Sequence, residues 1–485
     1  MLVVAGLAIP RSAFAHLVLV SSAPPAGSTL AAAPAAVGLS FSEDPQLGAT
    51  HIEVVNASGV RVDSGTPRLV HVPKHTLEVP LVGSLAAGRY TVRWRTTSDD
   101  GHPAHGAFSF TIAMGAVAVS TAPPPAPSET GVHAGQPMVM DTTEAGGFDV
   151  ESPLYVIVRW VSFVAMLALV GAIVLARWVT PRAAAGRPEL ARRVDANALV
   201  VFRLATALLL IDAALRLAAQ VAALRGNPPM PVDVPAILTT TVWGWAWLFE
   251  LAAAIVAIVA ALKAGAARWR VAEVAAFVLA LSFAFSGHAA AATHLRALAV
   301  SADALHILAA GCGFGTLFGV AVVAMPACLA QDEGARGAAA ADFANAFSPV
   351  ALTSAGVLVA TGIVAAWLHL GSWHAFVDSD YGRTLLIKLA LVATVVALGA
   401  INWRILRPAL GTEAAARRLR RSAALELIAA AAVLAATAVL VASSPPADMT
   451  DMGAAQPAVA PAATAASAPA DGIAIRARVP RTAGT

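Results

Sequence analysis

Residues 286–315 read SGHAAAATHLRALAVSADALHILAAGCGFG, three histidines and an aspartate set in sequence apolar enough for a lipid bilayer. Hydrocarbon solvates such groups poorly, so ionisable side chains in a membrane span face a bundle interior or a cavity and mark an ion path. The expected arrangement has His288 closing one helix, His294 in a short turn and His306 opening the next helix. Asp303 then lies one turn before His306 on the same face. Imidazole suits copper, zinc or iron. A pair of membrane histidines also serves as haem ligands or as a helix-packing hydrogen bond, so this window alone leaves three readings open.

Outward from that window, the composition decides the class. The chain has 485 residues, of which 58% are hydrophobic and 13% charged, with a mean hydropathy of +0.72. That is too apolar for a soluble globule and long enough for more than one domain. Long apolar runs fill residues 154–443 and divide into about eight helices, near 154–177, 198–222, 242–262, 271–292, 300–328, 347–371, 384–404 and 421–443. Arg177, Arg182, Arg187, Arg192 and Arg193 follow the first run, Lys263, Arg268 and Arg270 the third, and Arg404, Arg407, Arg417, Arg418, Arg420 and Arg421 flank the last two. Loops so charged stay in the cytoplasm, which puts both ends of the chain outside and His288, His306 and His369 in the outer half of the bilayer. The net charge of +3 resides largely in these loops, and no nucleic-acid partner is expected. Cys312 and Cys328 fall in one helix, roughly 24 Å apart at helical rise, and do not pair within it.

The beginning of the chain has a different rhythm. Residues 1–15, MLVVAGLAIPRSAFA, have the apolar core and Ala-x-Ala end of a secretory signal, and cleavage after Ala15 makes His16 a free amino terminus. Residues 16–113 alternate in short runs, VGLSFS, THIEVVN, TLEVPL, RYTVRWRT and AFSFTI, separated by Pro, Gly, Ser and Asp. This is the pattern of a small antiparallel β-sandwich or barrel. Residues 114–152 are an unpatterned flexible linker rich in Pro, Ala, Ser and Gly, and residues 447–485 an Ala/Pro-rich disordered tail on the outer side. Between the last two strands lies SDDGHPAHG, residues 98–106. Asp100 and His102, one residue apart in extended chain, point the same way and can share an ion.

A histidine at the mature terminus, FSE at residues 41–43, AAGRYTVRW at 86–94 and the S-x-D-G-H-P-x-x-G loop before F-x-F together resemble the periplasmic copper-binding protein CopC. The resemblance covers residues 16–113 and implies an Ig-like, Greek-key sandwich. It further implies that His16, through its amine and imidazole, His102 and Asp100 hold Cu(II), with Glu43 and His105 as further candidates. Nitrogen donors with a carboxylate are a donor set that suits Cu(II). Downstream, S-G-H-A-A at 286–290, D-x-x-H at Asp303 and His306, YGRTLLIKL at 381–389, A-I-N-W-R-x-x-x-P at 400–408 and Glu426 resemble CopD, the membrane copper-resistance and copper-uptake family, over residues 153–446. Two departures stand out: Cys312-Gly313-Phe314-Gly315 where relatives often carry W-x-G-G, and Glu250 where they often carry Arg.

The chain therefore resembles CopC–CopD fusion proteins, an all-β sandwich joined to an all-α polytopic bundle of the bacterial cytoplasmic membrane. The expected activity is capture of copper in the periplasm and its transfer to or across the membrane, without catalysis. His288, Asp303, His306 and His369, with Cys312 as a further candidate, form the expected membrane path for Cu(I) or Cu(II). Copper ions, the lipid bilayer and periplasmic copper chaperones are the expected partners. A haem-binding membrane cytochrome, a copper sensor or store, and a copper oxidase built on His16 are the alternatives. For Cys312, small-residue helix packing around Gly315-x-x-x-Gly319 is the competing reading. Asp212 and Arg216, four residues apart, are expected to neutralise each other.

Overall fold

The computed structural model describes residues 17–70, 72, 74–117, 152–226, 229–263, 265–292, 295–370, 377, 379–406 and 413–442. The signal segment, His16, most of the linker and the tail lie outside the described residues.

Residues 17–117 form two four-stranded sheets face to face. Strands β1 (Leu19–Ala23), β3 (Ala36–Phe41), β6 (Thr76–Pro80) and β5 (Arg68–Val70) make one sheet in the order β1-β3-β6-β5. The other runs β2 (Thr29–Ala32), β8 (Pro103–Val117), β7 (Gly88–Thr97) and β4 (His51–Asn56). Pairing is antiparallel except β2 with β8. Alternation drives the packing: Val37, Leu39 and Phe41 of β3 and Tyr90, Val92 and Trp94 of β7 all turn inward and are buried. Trp94 meets Phe41 edge to face across the sheets, ring centroids 5.1 Å apart. The five strands expected from alternation are present. The three the sequence pattern did not reveal, β1, β2 and β5, are all sheet edges. Each has only five residues or fewer, too short for alternation to register, whereas β4, the remaining edge, has six and alternates.

The remainder is helical: α1 (Pro153–Ala183), α2 (Pro188–Arg225), the short α3 (Val234–Thr240), α4 (Val242–Leu262), α5 (Ala267–Phe285), the one-turn α6 (His288–Ala291), α7 (Arg296–Leu329), α8 (Glu333–Leu370), α9 (Asp380–Ile401) and α10 (Glu413–Val441). Ser152 starts α1 by accepting the Tyr155 amide at 3.3 Å, with Pro153 at the first helical position. Seven helices are long and apolar enough to cross a membrane: α1, α2, α4, α7, α8, α9 and α10. The remaining expected span, the one near 271–292, becomes α5, of 19 residues, which carries Arg268, Arg270 and Glu273 in its first two turns. α5 packs along α4 inside the bundle and stops at Phe285, before Ser286 and Gly287 break the helix. His288 consequently opens α6 instead of closing the preceding helix. His306 lies in the third turn of α7 rather than at its start, because that helix begins at Arg296.

Small residues set the helix spacing. A Cβ on Gly171 of α1 would stand 2.0 Å from the carbonyl carbon of Gly315 in α7, and one on Gly319 would press on Leu175. α1 and α7 therefore touch backbone to backbone, which is the packing role expected for the glycines around Cys312.

Candidate metal centre

The β7–β8 turn is built to aim one carboxylate. Gly101 takes φ +86°, a conformation that L side chains rarely adopt, and it turns the chain sharply between Asp100 and His102. The two side chains thus converge through a tight turn and not through the extended alternation expected of them. Ser98 closes the turn, its amide donating to His102 O at 3.0 Å while the Gly101 amide donates to Ser98 O at 3.0 Å. The Ser98 hydroxyl (2.5 Å) and the His102 amide (3.2 Å) both donate to Asp100 Oδ1. That leaves Oδ2 facing His102 Nδ1 at 2.8 Å. Asp100 is 2% exposed, and hydrogen bonds to the charged form are what make a buried carboxylate tolerable there.

The third donor comes from the membrane domain. His288 Nδ1, at the start of α6, lies 3.3 Å from the same Asp100 Oδ2. The His288 ring stacks on His102 with centroids 5.5 Å apart and planes 18° from parallel. Asp100, His102 and His288 thereby offer three ligand atoms within 4.8 Å of one another. Donors about 2 Å from a shared ion stand at most about 4 Å apart, so a contraction of under about 1 Å would assemble all three on one metal. Two imidazoles and a carboxylate are a donor set for a divalent borderline ion such as Cu(II).

Several contacts hold the β-domain against the bundle at this point. Gln220 of α2 donates to Gly101 O at 2.7 Å. Arg95 of β7 donates to Leu224 O at 3.1 Å, one of the last carbonyls of α2 that no helical amide can reach. Burial pushes the Arg95 guanidinium below its usual range. Arg296 at the start of α7 pairs with Asp99 at 2.8 Å. Burial raises the Asp99 carboxyl, and the Arg296 charge opposes that shift. Gly101 lies on the Trp243 indole of α4 so closely that a Cβ would come within 2.4 Å of it. Ala49, Leu224, Ile237, Trp243 and Trp247 bury one another in an apolar seam between the two domains.

The other expected residues fall as follows. Glu43 is half-buried in the bend after β3, and His105 is an exposed β8 residue opposite Arg95. Neither belongs to the three-donor group. Asp303 and His306 do share a face of α7, but they are directed elsewhere. His306 Nδ1 is 2.8 Å from Thr361 Oγ1 of α8, and Asp303 faces the charge of Lys388 of α9. Cys312 is half-buried against the α1 core. Among the described residues Asp303, His306 and Cys312 join no group of three ligand atoms. His16, His294 and the side chain of His369 lie outside the described residues. Arg216 forms its ion pair with Glu250 at 2.5 Å while its charge also acts on Asp212, the neighbour expected of it, and Arg203 donates to Ala261 O at 2.6 Å. The sequence signal that could have linked His288 to Asp100 was there, a histidine expected on the same side of the membrane as the domain with the D-x-H turn, but nothing in spacing measures a gap of 188 residues.

Comparison with known proteins matches residues 19–113 to the CopC domain, residues 149–298 to the N-terminal domain of copper resistance protein D-like proteins, and residues 341–440 to copper resistance protein D. The copper transport protein CutJ of Bacillus subtilis (strain 168) is 24% identical over 406 residues, covering 82% of this chain and 70% of that protein. Copper resistance protein C of Escherichia coli is 35% identical over 113 residues, 22% of this chain and 88% of that protein. Among solved structures, PcoC, a methionine-rich copper resistance protein from Escherichia coli, is 30% identical and covers 20% of this chain and 99% of its own, with a TM-score of 0.19.

Proposed function

The chain belongs to the CopC–CopD fusion proteins, and from that premise we propose that it takes copper on the outer face of the cytoplasmic membrane and passes it to its own membrane domain. Copper binding, and a part in copper resistance or transport, are what these families have in common. The finer assignment rests on one observation: the carboxylate of the D-x-H turn has one imidazole from its own domain and one from the membrane domain on the same oxygen.

Capture begins at the amino terminus that cleavage after Ala15 would create. His16, Asp100 and His102 would then hold Cu(II) as the resemblance to CopC implies. His288 is the receiving ligand. An ion moving between chelates is best transferred while bonded to both, because a bare ion in a low-dielectric region costs tens of kcal/mol. Asp100 Oδ2 is the shared atom, with His102 Nδ1 on the donating side and His288 Nδ1 on the accepting side. The Ser98 hydroxyl and the His102 amide hold the other oxygen, so the carboxylate keeps its aim as the ion changes partners. Asp303 and His306 on α7 are the next expected stop.

The Arg296–Asp99 and Arg95–Leu224 contacts keep the turn seated while this happens. Radiocopper uptake into proteoliposomes tests the assignment. Wild-type protein should accumulate copper and His288→Ala should fall to the level of empty vesicles. Equal uptake by the two would reject the handover.

A further inference from the structure

Asp212, Arg216 and Gln220 follow one another in four-residue steps along α2 and form a single stripe. All three are buried, while Val200, Leu204, Leu208, Ile211 and Leu215 of the same helix are exposed. That inside-out pattern turns the apolar face toward lipid and the polar stripe into the bundle. The stripe begins at the metal loop, where Gln220 bonds Gly101 O. One turn deeper, Arg216 is spent on Glu250 of α4 and lies over the Phe283 ring of α5. Asp212 is one further turn in, about 12 Å along the helix from Gln220.

Asp212 is 3% exposed, and neither of its carboxylate oxygens accepts a hydrogen bond among the described residues. Oε1 of Glu250 accepts none either. The groups facing Asp212 relieve it only in part. On its own helix the Arg216 charge reaches it but is paired with Glu250, whose charge repels that of Asp212. On α1, Ser162 stands within hydrogen-bonding reach of it, but its one hydroxyl proton is directed to Val158 O at 2.9 Å. Arg159 of α1 contributes a more distant charge, with its guanidinium over the Tyr155 ring, and Tyr155 itself lies against Arg216. An ionised carboxylate whose neighbouring donor and cation are both engaged elsewhere, inside a membrane bundle, has little to replace its hydration. A metal cation would need several oxygen ligands and would meet the Arg216 guanidinium. A proton neutralises the group with no ligand at all.

We propose that Asp212 is a proton-binding site of the membrane domain, lying beneath the copper loop, and that its proton exchanges as copper leaves the loop for the bundle. The second half of this statement rests on the handover reading above, whereas the site itself does not. Dicyclohexylcarbodiimide, which reacts with protonated carboxyls in apolar surroundings, is the direct probe, applied to the full chain in liposomes with peptide mapping by mass spectrometry. The expected result is labelling of Asp212 that declines as pH is raised, is indifferent to sodium, and disappears in Asp212→Asn, a near-isosteric change that retains Cu(II) binding. An observed but unmodified Asp212 peptide at every pH, labelling of Glu250 instead, or protection by sodium would overturn the site. With a pH-sensitive dye inside the same vesicles, copper addition should move protons in the wild type and not in Asp212→Asn. Copper flux without proton movement in the wild type would overturn the linkage. Labelled Asp212 in vesicles that take up no copper would leave the proton site standing and remove the handover instead.

Discussion

Two places in this molecule pair an aspartate with a histidine at short spacing, and they have come to opposite ends. In the β7–β8 turn, Asp100 and His102 converge because Gly101 reverses the chain, and a foreign imidazole, His288, closes on the same oxygen. On α7, Asp303 and His306 are one helical turn apart on one face, yet what meets that face is the Lys388 charge and, for His306, the Thr361 hydroxyl, not a third ligand atom. The difference teaches that sharing a face is a weaker condition than sharing a focus. A turn with its own hydrogen bonds orients its side chains before any partner arrives. A helix leaves long side chains to follow whatever the adjacent helix offers.

The comparison can be broken at either end. The largest effect is expected for His102→Ala, which removes a donor common to the free and the docked β-domain; Cu(II) affinity measured by competition titration should fall more than about 100-fold in both. His288→Ala should cost the full chain about 10- to 100-fold in affinity and bring it down to that of the separately expressed β-domain, which lacks this residue. Unchanged affinity in the full-chain variant would remove His288 from the centre. His306→Ala should leave Cu(II) affinity at the loop intact while copper uptake falls about ten-fold, consistent with a deeper station on the path. Wild-type uptake in that variant would reduce His306 to a partner of Thr361.

Two smaller effects sharpen the picture of docking. Gly101→Ala places a methyl against Trp243 in a backbone conformation that alanine resists, at a cost of about 1 to 3 kcal/mol. Crosslinking between the β-domain and the bundle should drop accordingly. Arg296→Ala removes a half-exposed pair with Asp99 and should cost about 1 kcal/mol, a shift of about five-fold in the docked population. If crosslinking is insensitive to both changes, the apolar seam around Trp243 and Ile237 alone seats the domain.

Strands with one buried face were legible, since residues such as those of THIEVVN and RYTVRWRT declare their inward side every second position. β1, β2 and β5 were not, because runs of three to five residues offer too few inward positions for a period of two to stand out. The seven long apolar helices were legible for the same local reason, their length and hydropathy. α5 was misjudged in extent, since Ser286 and Gly287 end it before the apolar run stops. Four-residue spacing does bring the Arg216 charge to bear on Asp212, but the short ion pair goes to Glu250, on another helix, which spacing could not show.

Local order in the chain was enough to divide this protein into a β-sandwich and a membrane bundle, and to single out Asp100 and His102. Alternation, apolar length and a D-G-H turn are properties of neighbours in sequence. The tertiary structure alone decided that His288 belongs with those two residues, that Asp303 and His306 meet Lys388 and Thr361, and that Asp212 is buried beside an arginine paired with Glu250. Such facts depend on how helices cross and where a domain comes to rest, and a side chain's reach of a few ångströms cannot be read from a separation of 188 residues along the backbone.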